Sequence, residues 1–281
     1  MAETNPTVVV LTALAVEYGA MRELLESPDE IVLADGTRLE RGRLPGTRWT
    51  TAIAELGDGA LTAAALTTRV VAELRPQCLL FVGVAGALKD DLGLGDVVVG
   101  TKVYAVHGGK QTPEGFLARP QAWHGSHRLL QAARSALRDL DGVRAHCKPI
   151  ACGDVVVADE RSALREHIRR TYEDAYAIET EGSGAAHAAH LCGRLDALVI
   201  RGVSDLADAG KAAADAAGSQ RLAAARAAAV AAALLRRHEP GSREVRDGGE
   251  GPRGGLGGDQ IRFEGGTYYG PVIGKITGRP D

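Results

Sequence analysis

From about residue 7 to 238 the chain alternates short apolar runs with segments of helical periodicity. Val8-Val9-Val10-Leu11 is an unbroken apolar run, the pattern of a strand buried on both faces. Tyr18, Met21, Leu24 and Leu25 then recur at helical spacing. Arg48 to Ile53 reads as a strand and Gly57-Asp58-Gly59 as a turn, followed by an Ala-rich helix that ends before Pro76. Leu79-Leu80-Phe81-Val82 is a second buried strand, running into a small-residue turn, Gly83-Val84-Ala85-Gly86-Ala87. Asp96 to Val99 and Val155 to Val157 are expected as further strands, with a helix between them from about Trp123 to Leu140. A helix from Glu181 to Cys192 precedes the strand Ala197 to Ile200. The last helix, Gly218 to His238, is mostly alanine, the strongest helix former but one that buries little area. Strands alternating with helices predict an α/β domain layered about a central sheet.

Beyond residue 238 the pattern changes. Seven of the eleven residues from Gly248 to Gly258 are glycine, so 239–258 is read as a flexible linker. In 259–281, two β-prone pieces flank Gly265-Gly266 and are too short to form a core of their own. Such a segment gains stability by stacking on copies of itself, although Pro271 and the charges oppose this unless they sit at bends.

The net charge of −3 supplies no long-range field to gather nucleic acid or an anionic membrane, and neither is expected as a partner. No apolar run approaches the ~20 residues of a bilayer span, and the N-terminus lacks a secretory pattern, so a cytoplasmic protein is expected. Cys78, Cys147, Cys152 and Cys192 are widely spaced without a CxxC pair, which argues against both a zinc site and a disulfide framework.

Four segments place polar residues at strand ends or turns, where α/β sheets bind ligands. Glu17 stands at a strand-to-helix junction, where it could equally be a first-turn glutamate favoured by the helix dipole. Gly83 to Ala87 offers a backbone that a sugar or phosphate can approach, without being a dinucleotide fingerprint. In Ile178-Glu179-Thr180-Glu181, two carboxylates flank one residue and could grip the vicinal hydroxyls of a ribose. In Arg201-Gly202-Val203-Ser204-Asp205-Leu206-Ala207-Asp208, a buried strand delivers Ser204 and Asp205 at its C-terminal end, where an Asp can serve as a general acid.

In their order and spacing these segments resemble the purine nucleoside phosphorylase and methylthioadenosine/S-adenosylhomocysteine nucleosidase superfamily, over about residues 7 to 238. The resemblance implies a three-layer α/β/α domain, 1–238, with a central mixed sheet. It implies an enzyme that cleaves the N-glycosidic bond of a purine nucleoside or nucleotide, with no cofactor and no metal. Asp205, beside Ser204, would protonate the purine N7. Glu181, supported by Glu179, would hold the ribose hydroxyls, and Glu17 would deprotonate the attacking water. Gly83, Val84, Val156 and Thr180 are the further substrate contacts expected. A homodimer is implied as well.

The chain departs from the family pattern in three ways. Val84 stands where the hydrolases usually carry a hydroxyl residue, and Thr180 stands where a methionine is common. The phosphorolytic branch holds phosphate with arginines around the glycine turn, and Phe81-Val82-Gly83 supplies none, so hydrolysis is favoured. Lys102, His107, Lys110 and Arg119 gather cations among glycines and are candidate phosphate ligands, or else a solvated loop. The pairs His124/His127 and His187/His190 lack further ligands at metal spacing.

The terminal segment resembles the amyloid-signalling motifs of bacterial effector proteins and of the nucleotide-binding, NLR-like receptors that activate them. That implies a receptor partner through 259–278 and a role in antiviral defence. A housekeeping methylthioadenosine or adenosine nucleosidase or phosphorylase, and a non-catalytic nucleoside-binding module, are the alternatives.

Overall fold

The computed structural model describes residues 7–240, apart from 114, 160, 194 and 209. The chain from 241 onward, with most of the expected linker and the whole 259–281 segment, lies outside the described residues.

The first half comprises β1 (Thr7–Thr12), α1 (Ala15–Arg22), β2 (Glu26–Val32), β3 (Arg38–Arg43), β4 (Thr50–Glu55), α2 (Ala60–Leu74) and β5 (Cys78–Ala87). There follow β6 (Val97–Ala105), β7 (Gly109–Thr112), β8 (Gly115–Ala118), β9 (Gln121–His124), α3 (His127–Ala136) and β10 (Ala145–Cys152). The remainder is α4 (Ala163–Thr171), β11 (Ala177–Glu179), α5 (Gly182–Leu191), β12 (Asp196–Asp205), α6 (Lys211–Ala216) and α7 (Ser219–Arg237).

One mixed sheet runs in the order β11-β10-β6-β12-β5-β1-β4-β3-β2, with β9 paired to β6. The central strands β1, β5 and β12 are parallel, and β12 meets β6 antiparallel. Strand β11 also pairs with the far end of β5, curling one side of the sheet back on itself. Period-two alternation sorts the strand side chains into two cores. Val8, Val10, Leu80, Val82 and Ile200 meet one layer, with Met21, Leu129 and the alanines of α7. Val9, Leu11, Leu79, Phe81 and Val199 meet the other, with Ala63, Val70 and Ala185. The architecture is therefore the three-layer α/β/α domain with a mixed central sheet that the resemblance implied. No described helix is long and apolar enough to cross a membrane.

Several sequence expectations need correction. Gly83 to Ala87 is not a turn but the second half of β5, because β12 and then β11 supply hydrogen-bonding partners along it. Val155 to Val157 is not a strand; Val155 and Val156 are exposed and lie in a loop at the mouth of a cavity. The expected helix from Trp123 is preceded by β9, where Trp123 pairs with Val103, and the helix begins only at His127. Leu24 and Leu25 fall just beyond α1. The β2–β3 hairpin, β10 and α4 carry polar or mixed sequences that apolar periodicity did not reveal.

The alanine content of α7 has a packing reason. Gly202 on β12 lies directly beneath this helix, and a Cβ added there would overlap the backbone of Ala223. Small residues on both surfaces let helix and strand approach closely. Gly202→Ala should therefore destabilise the fold by about 1–3 kcal/mol through overpacking. Gly19 in α1 has nothing within 4 Å of an added Cβ, so Gly19→Ala should stabilise by about 0.5–1 kcal/mol. Thermal unfolding of the two variants should move the midpoint in opposite directions.

Candidate active site

At the C-terminal ends of the parallel strands β1, β5 and β12 a cavity of about 400 Å³ opens, the position where α/β sheets bind ligands. Its lining includes Glu17, Val84, Val156, Glu179, Thr180, Glu181, Ser204 and Asp205, together with Gly59 and Lys211. The structure thus gathers into one cavity residues that lie up to nearly two hundred positions apart.

Glu17 sits in the first turn of α1 but does more than complement the helix dipole. Its Oε2 accepts the N–H groups of Ala13 (2.8 Å) and Leu14 (3.0 Å), and its Oε1 accepts that of Val84 (2.7 Å). Strand β1 pairs with β5 only as far as Leu11 and Phe81, so the Glu17 carboxylate takes over the N–H of Val84. Burial raises the pKa of Glu17 above its ordinary 4.5, against the opposing pull of Arg201 and the three N–H donors.

Behind the cavity lies Arg201, fully buried in β12. Its Nη2 is 2.5 Å from Glu179 Oε2 and 3.8 Å from Glu181 Oε2, and its guanidinium lies 4.2 Å over the Phe81 ring. Burial alone opposes the charge on Arg201, but Glu179, Glu17 and Glu181 outweigh it and raise the pKa above its usual value. Gly83 is required here, because an added Cβ would overlap the Arg201 guanidinium and the Glu17 carboxylate. Gly83 therefore acts through the charges behind the cavity and is not among its lining residues.

Glu179 Oε2 also accepts the N–H groups of Glu181 (3.1 Å) and Gly182 (2.7 Å), which fixes the turn into α5. Glu181 Oε1 accepts the Gly59 N–H (3.2 Å) and the Thr180 hydroxyl. Thr180 thus holds a carboxylate, a service that a methionine side chain cannot provide.

Asp205 closes the other end of the constellation. Its Oδ1 accepts the N–H of Ala207 (2.9 Å), and its Oδ2 accepts Ser204 Oγ (3.1 Å) and Lys211 Nζ (2.6 Å). Ala207 has a left-handed φ of 51°, unusual for a residue with a Cβ. Buried Arg165 from α4 holds that turn by donating to the carbonyls of Leu206 and Ala207.

The four candidate phosphate ligands do not line the cavity. Lys102 pairs with Asp174 at 2.9 Å, His107 lies 3.8 Å from Asp154, Lys110 is on the β7–β8 hairpin and Arg119 just follows it. His187 stacks on Trp123, and among the described residues no three His, Cys, Asp or Glu side chains are grouped to hold a metal ion. Sequence reasoning assigned no role to Arg201, Lys211 or Gly59. An arginine inside the apolar run Leu198 to Val203 was a signal for the first, since a charge there demands buried partners. Nothing in the pattern around Lys211 marked it.

Replacing Arg201 by Met should cost about 3–5 kcal/mol, because it leaves neighbouring carboxylates buried without their counter-charge. Chemical denaturation of Arg201→Met against the parent measures this directly.

Residues 7–236 match the phosphorylase superfamily. Over 205 residues the chain is 29% identical to the 5'-methylthioadenosine/S-adenosylhomocysteine nucleosidase of Geobacillus thermodenitrificans (strain NG80-2), covering 70% of this chain and 83% of that protein. It is 27% identical over 246 residues to the ATP nucleosidase Cap17 of Escherichia coli (strain KTE188), covering 74% of this chain and 47% of that protein. The crystal structure of the 5'-methylthioadenosine/S-adenosylhomocysteine nucleosidase from Neisseria meningitidis, in complex with methylthio-immucillin-A, matches with a TM-score of 0.72 at 26% identity. That match covers 82% of this chain and 98% of the other. Through residues 7–236, with their layered sheet and acidic cavity, the chain belongs to the phosphorylase superfamily.

Proposed function

We propose that the chain hydrolyses the N-glycosidic bond of a purine nucleoside or nucleotide. The observation that carries this reading is one cavity holding four buried carboxylates, Glu17, Glu179, Glu181 and Asp205. Breaking the bond from sugar to base leaves positive charge on the sugar, and carboxylates fixed beforehand stabilise it without reorganising. Glu181, locked by Thr180 and Gly59, receives the ribose hydroxyls. Glu17 takes a proton from water, and its raised pKa suits it to that work. Because the backbone of Val84 positions Glu17, the absence of a side-chain hydroxyl at residue 84 leaves the base in place. The apolar side chain of Val156 offers the purine a surface, and Asp205 with Ser204 meets its N7 edge.

Hydrolysis is favoured over phosphorolysis by charge. An inorganic phosphate entering here meets the carboxylates, while Arg201 is already committed to Glu179. The 5′ substituent separates two biological readings. Likeness to an ATP nucleosidase and the 259–278 segment favour a nucleotide-consuming effector, clustered by an NLR-like receptor in antiviral defence. Likeness to methylthioadenosine nucleosidases and the acidic lining favour a housekeeping enzyme acting on a substrate with an uncharged 5′ group. Either reading includes a homodimer; exposed Leu61 on α2 and Leu191 on the neighbouring α5 offer it apolar surface.

Chromatography for free base decides between them. The full chain, soluble and seeded with fibrils of its terminal peptide, is incubated with ATP, AMP, adenosine and methylthioadenosine, with and without phosphate. Base release without phosphate is expected; release only with phosphate overturns hydrolysis, and no release in any form makes the domain a binding module. Preference for ATP or AMP supports the effector reading, and preference for methylthioadenosine the housekeeping one.

Glu17→Gln and Asp205→Asn should each lower kcat by about 10²–10⁴-fold. Glu17 must be unprotonated to act, so kcat/KM of the parent should fall as pH drops through a value above 4.5, the ordinary glutamate pKa. An acid limb at or below that value would falsify the assignment of Glu17 as the base.

A further inference from the structure

Arg165 is buried in the first turn of α4, yet among the described residues no carboxylate pairs with it. A buried charge without a counter-charge is costly. Here its donors go to backbone instead: Nη1 donates to the carbonyls of Leu206 (3.2 Å) and Ala207. Both carbonyls belong to the turn that leaves β12 just after Asp205. Arg165 is not among the residues that line the cavity.

The Leu206 carbonyl and the Ala207 N–H are the two ends of one peptide group. A trans peptide is planar, with its C=O and N–H pointing in opposite directions. Anchoring the oxygen therefore aims the hydrogen, and that N–H donates to Asp205 Oδ1 at 2.9 Å. Oδ1 accepts it whether or not the carboxyl carries a proton on its other oxygen. Hydrogen bonds linked in this way polarise one another, with a cationic donor at the far end. The turn needs such an anchor, because Ala207 has a left-handed φ of 51°, which residues with a Cβ disfavour. Flipping the 206–207 peptide would relieve that conformation and turn the N–H away from Asp205. Ile168, one turn further along α4, packs in one apolar cluster with Ala207 and Val157, which seats the helix against the turn. From the side of β5, a Cβ added at Gly86 would lie 2.8 Å from Asp205 Oδ1 and 3.1 Å from the Ala207 Cβ.

We propose that Arg165 is the positioning residue for Asp205. It fixes the plane of the 206–207 peptide, whose N–H holds Oδ1 and so keeps the carboxyl aimed into the cavity. This rests on the N-glycosidase reading above, in which Asp205 meets the N7 edge of the purine. Arg165 acts on the reaction through that one peptide group, from outside the cavity.

The test is a double-mutant cycle on the full chain. The parent, Arg165→Met, Asp205→Ala and the double variant are assayed for release of free base from adenosine, or from ATP if that is what the parent cleaves. All four are measured well below their melting midpoints. Misplacing a reacting group by ~1 Å costs on the order of 10²-fold. Arg165→Met should therefore lower kcat by about 10–10²-fold and leave KM within about threefold of the parent. In the Asp205→Ala background nothing remains to be positioned, and adding Arg165→Met should cost less than about threefold. A loss of equal size in both backgrounds, or parent-like kcat in Arg165→Met, overturns the proposal while leaving the N-glycosidase reading intact. A parent that releases no base overturns that reading and this inference with it. A crystal structure of Arg165→Met adds a readout independent of activity. Ala207 should leave the left-handed region and its N–H should lose Asp205 Oδ1; an unchanged turn overturns the proposal. If Arg165→Met does not fold, Arg165→Lys takes its place in both measurements with the same outcomes expected, since an ammonium keeps the charge but not the planar guanidinium.

Discussion

The arrangement of the site depends on one buried positive charge. Taking a guanidinium out of water is expensive, and such a charge persists inside a protein only with partners of excellent geometry. Arg201 has Glu179 in direct contact, Glu181 within reach and Glu17 close enough to raise its pKa further. These carboxylates would repel one another if left alone in a cavity; around Arg201 they can be held together. The same charge explains the absence of a side chain at Gly83 and the aromatic ring of Phe81 beneath the guanidinium. A strand that reads as apolar packing therefore also carries the electrostatic centre of the site.

The acidic groups are fixed mostly by backbone. Ala13, Leu14 and Val84 hold Glu17; Glu181 and Gly182 hold Glu179; Gly59 holds Glu181; and Ala207 holds Asp205. Apart from that of Val84, which lies within β5 beyond the end of its pairing with β1, these N–H groups lie at helix starts or turns, where the regular ladders leave donors free. A cavity at the carboxyl ends of the central strands is thus a consequence of the topology, and carboxylates are the side chains that satisfy it. A site assembled this way holds its carboxylates by main-chain donors, the preorganisation that the proposed reading calls for.

Under the proposed reading the two ends of the cavity divide the work. Buried Glu17 would act on the water at one end; Asp205, with Ser204, would act on the base at the other. The net negative lining between them suits a cationic transition state better than an anionic co-substrate.

The unbroken apolar runs Val8 to Leu11 and Leu79 to Val82 were enough to indicate the layered sheet, since a strand buried on both faces needs helices above and below it. The carboxylates were legible for a related reason: Glu17, Glu179, Glu181 and Asp205 interrupt apolar runs, and a charge beside buried strands must have a purpose or a partner. The polar strands β2 and β3 towards one rim of the sheet were not legible, because strands with mostly exposed side chains carry little apolar signature. Nor was the extension of β5 through Gly83 to Ala87, whose small residues read as a turn until β11 and β12 were in place to pair with them. The partners of Arg201, the turn held by Arg165 and the contact of Lys211 with Asp205 were decided by tertiary structure alone. Each joins segments brought together by strand pairing, by helix packing or by a tight turn, and local sequence cannot state which buried charges will meet when the sheet closes.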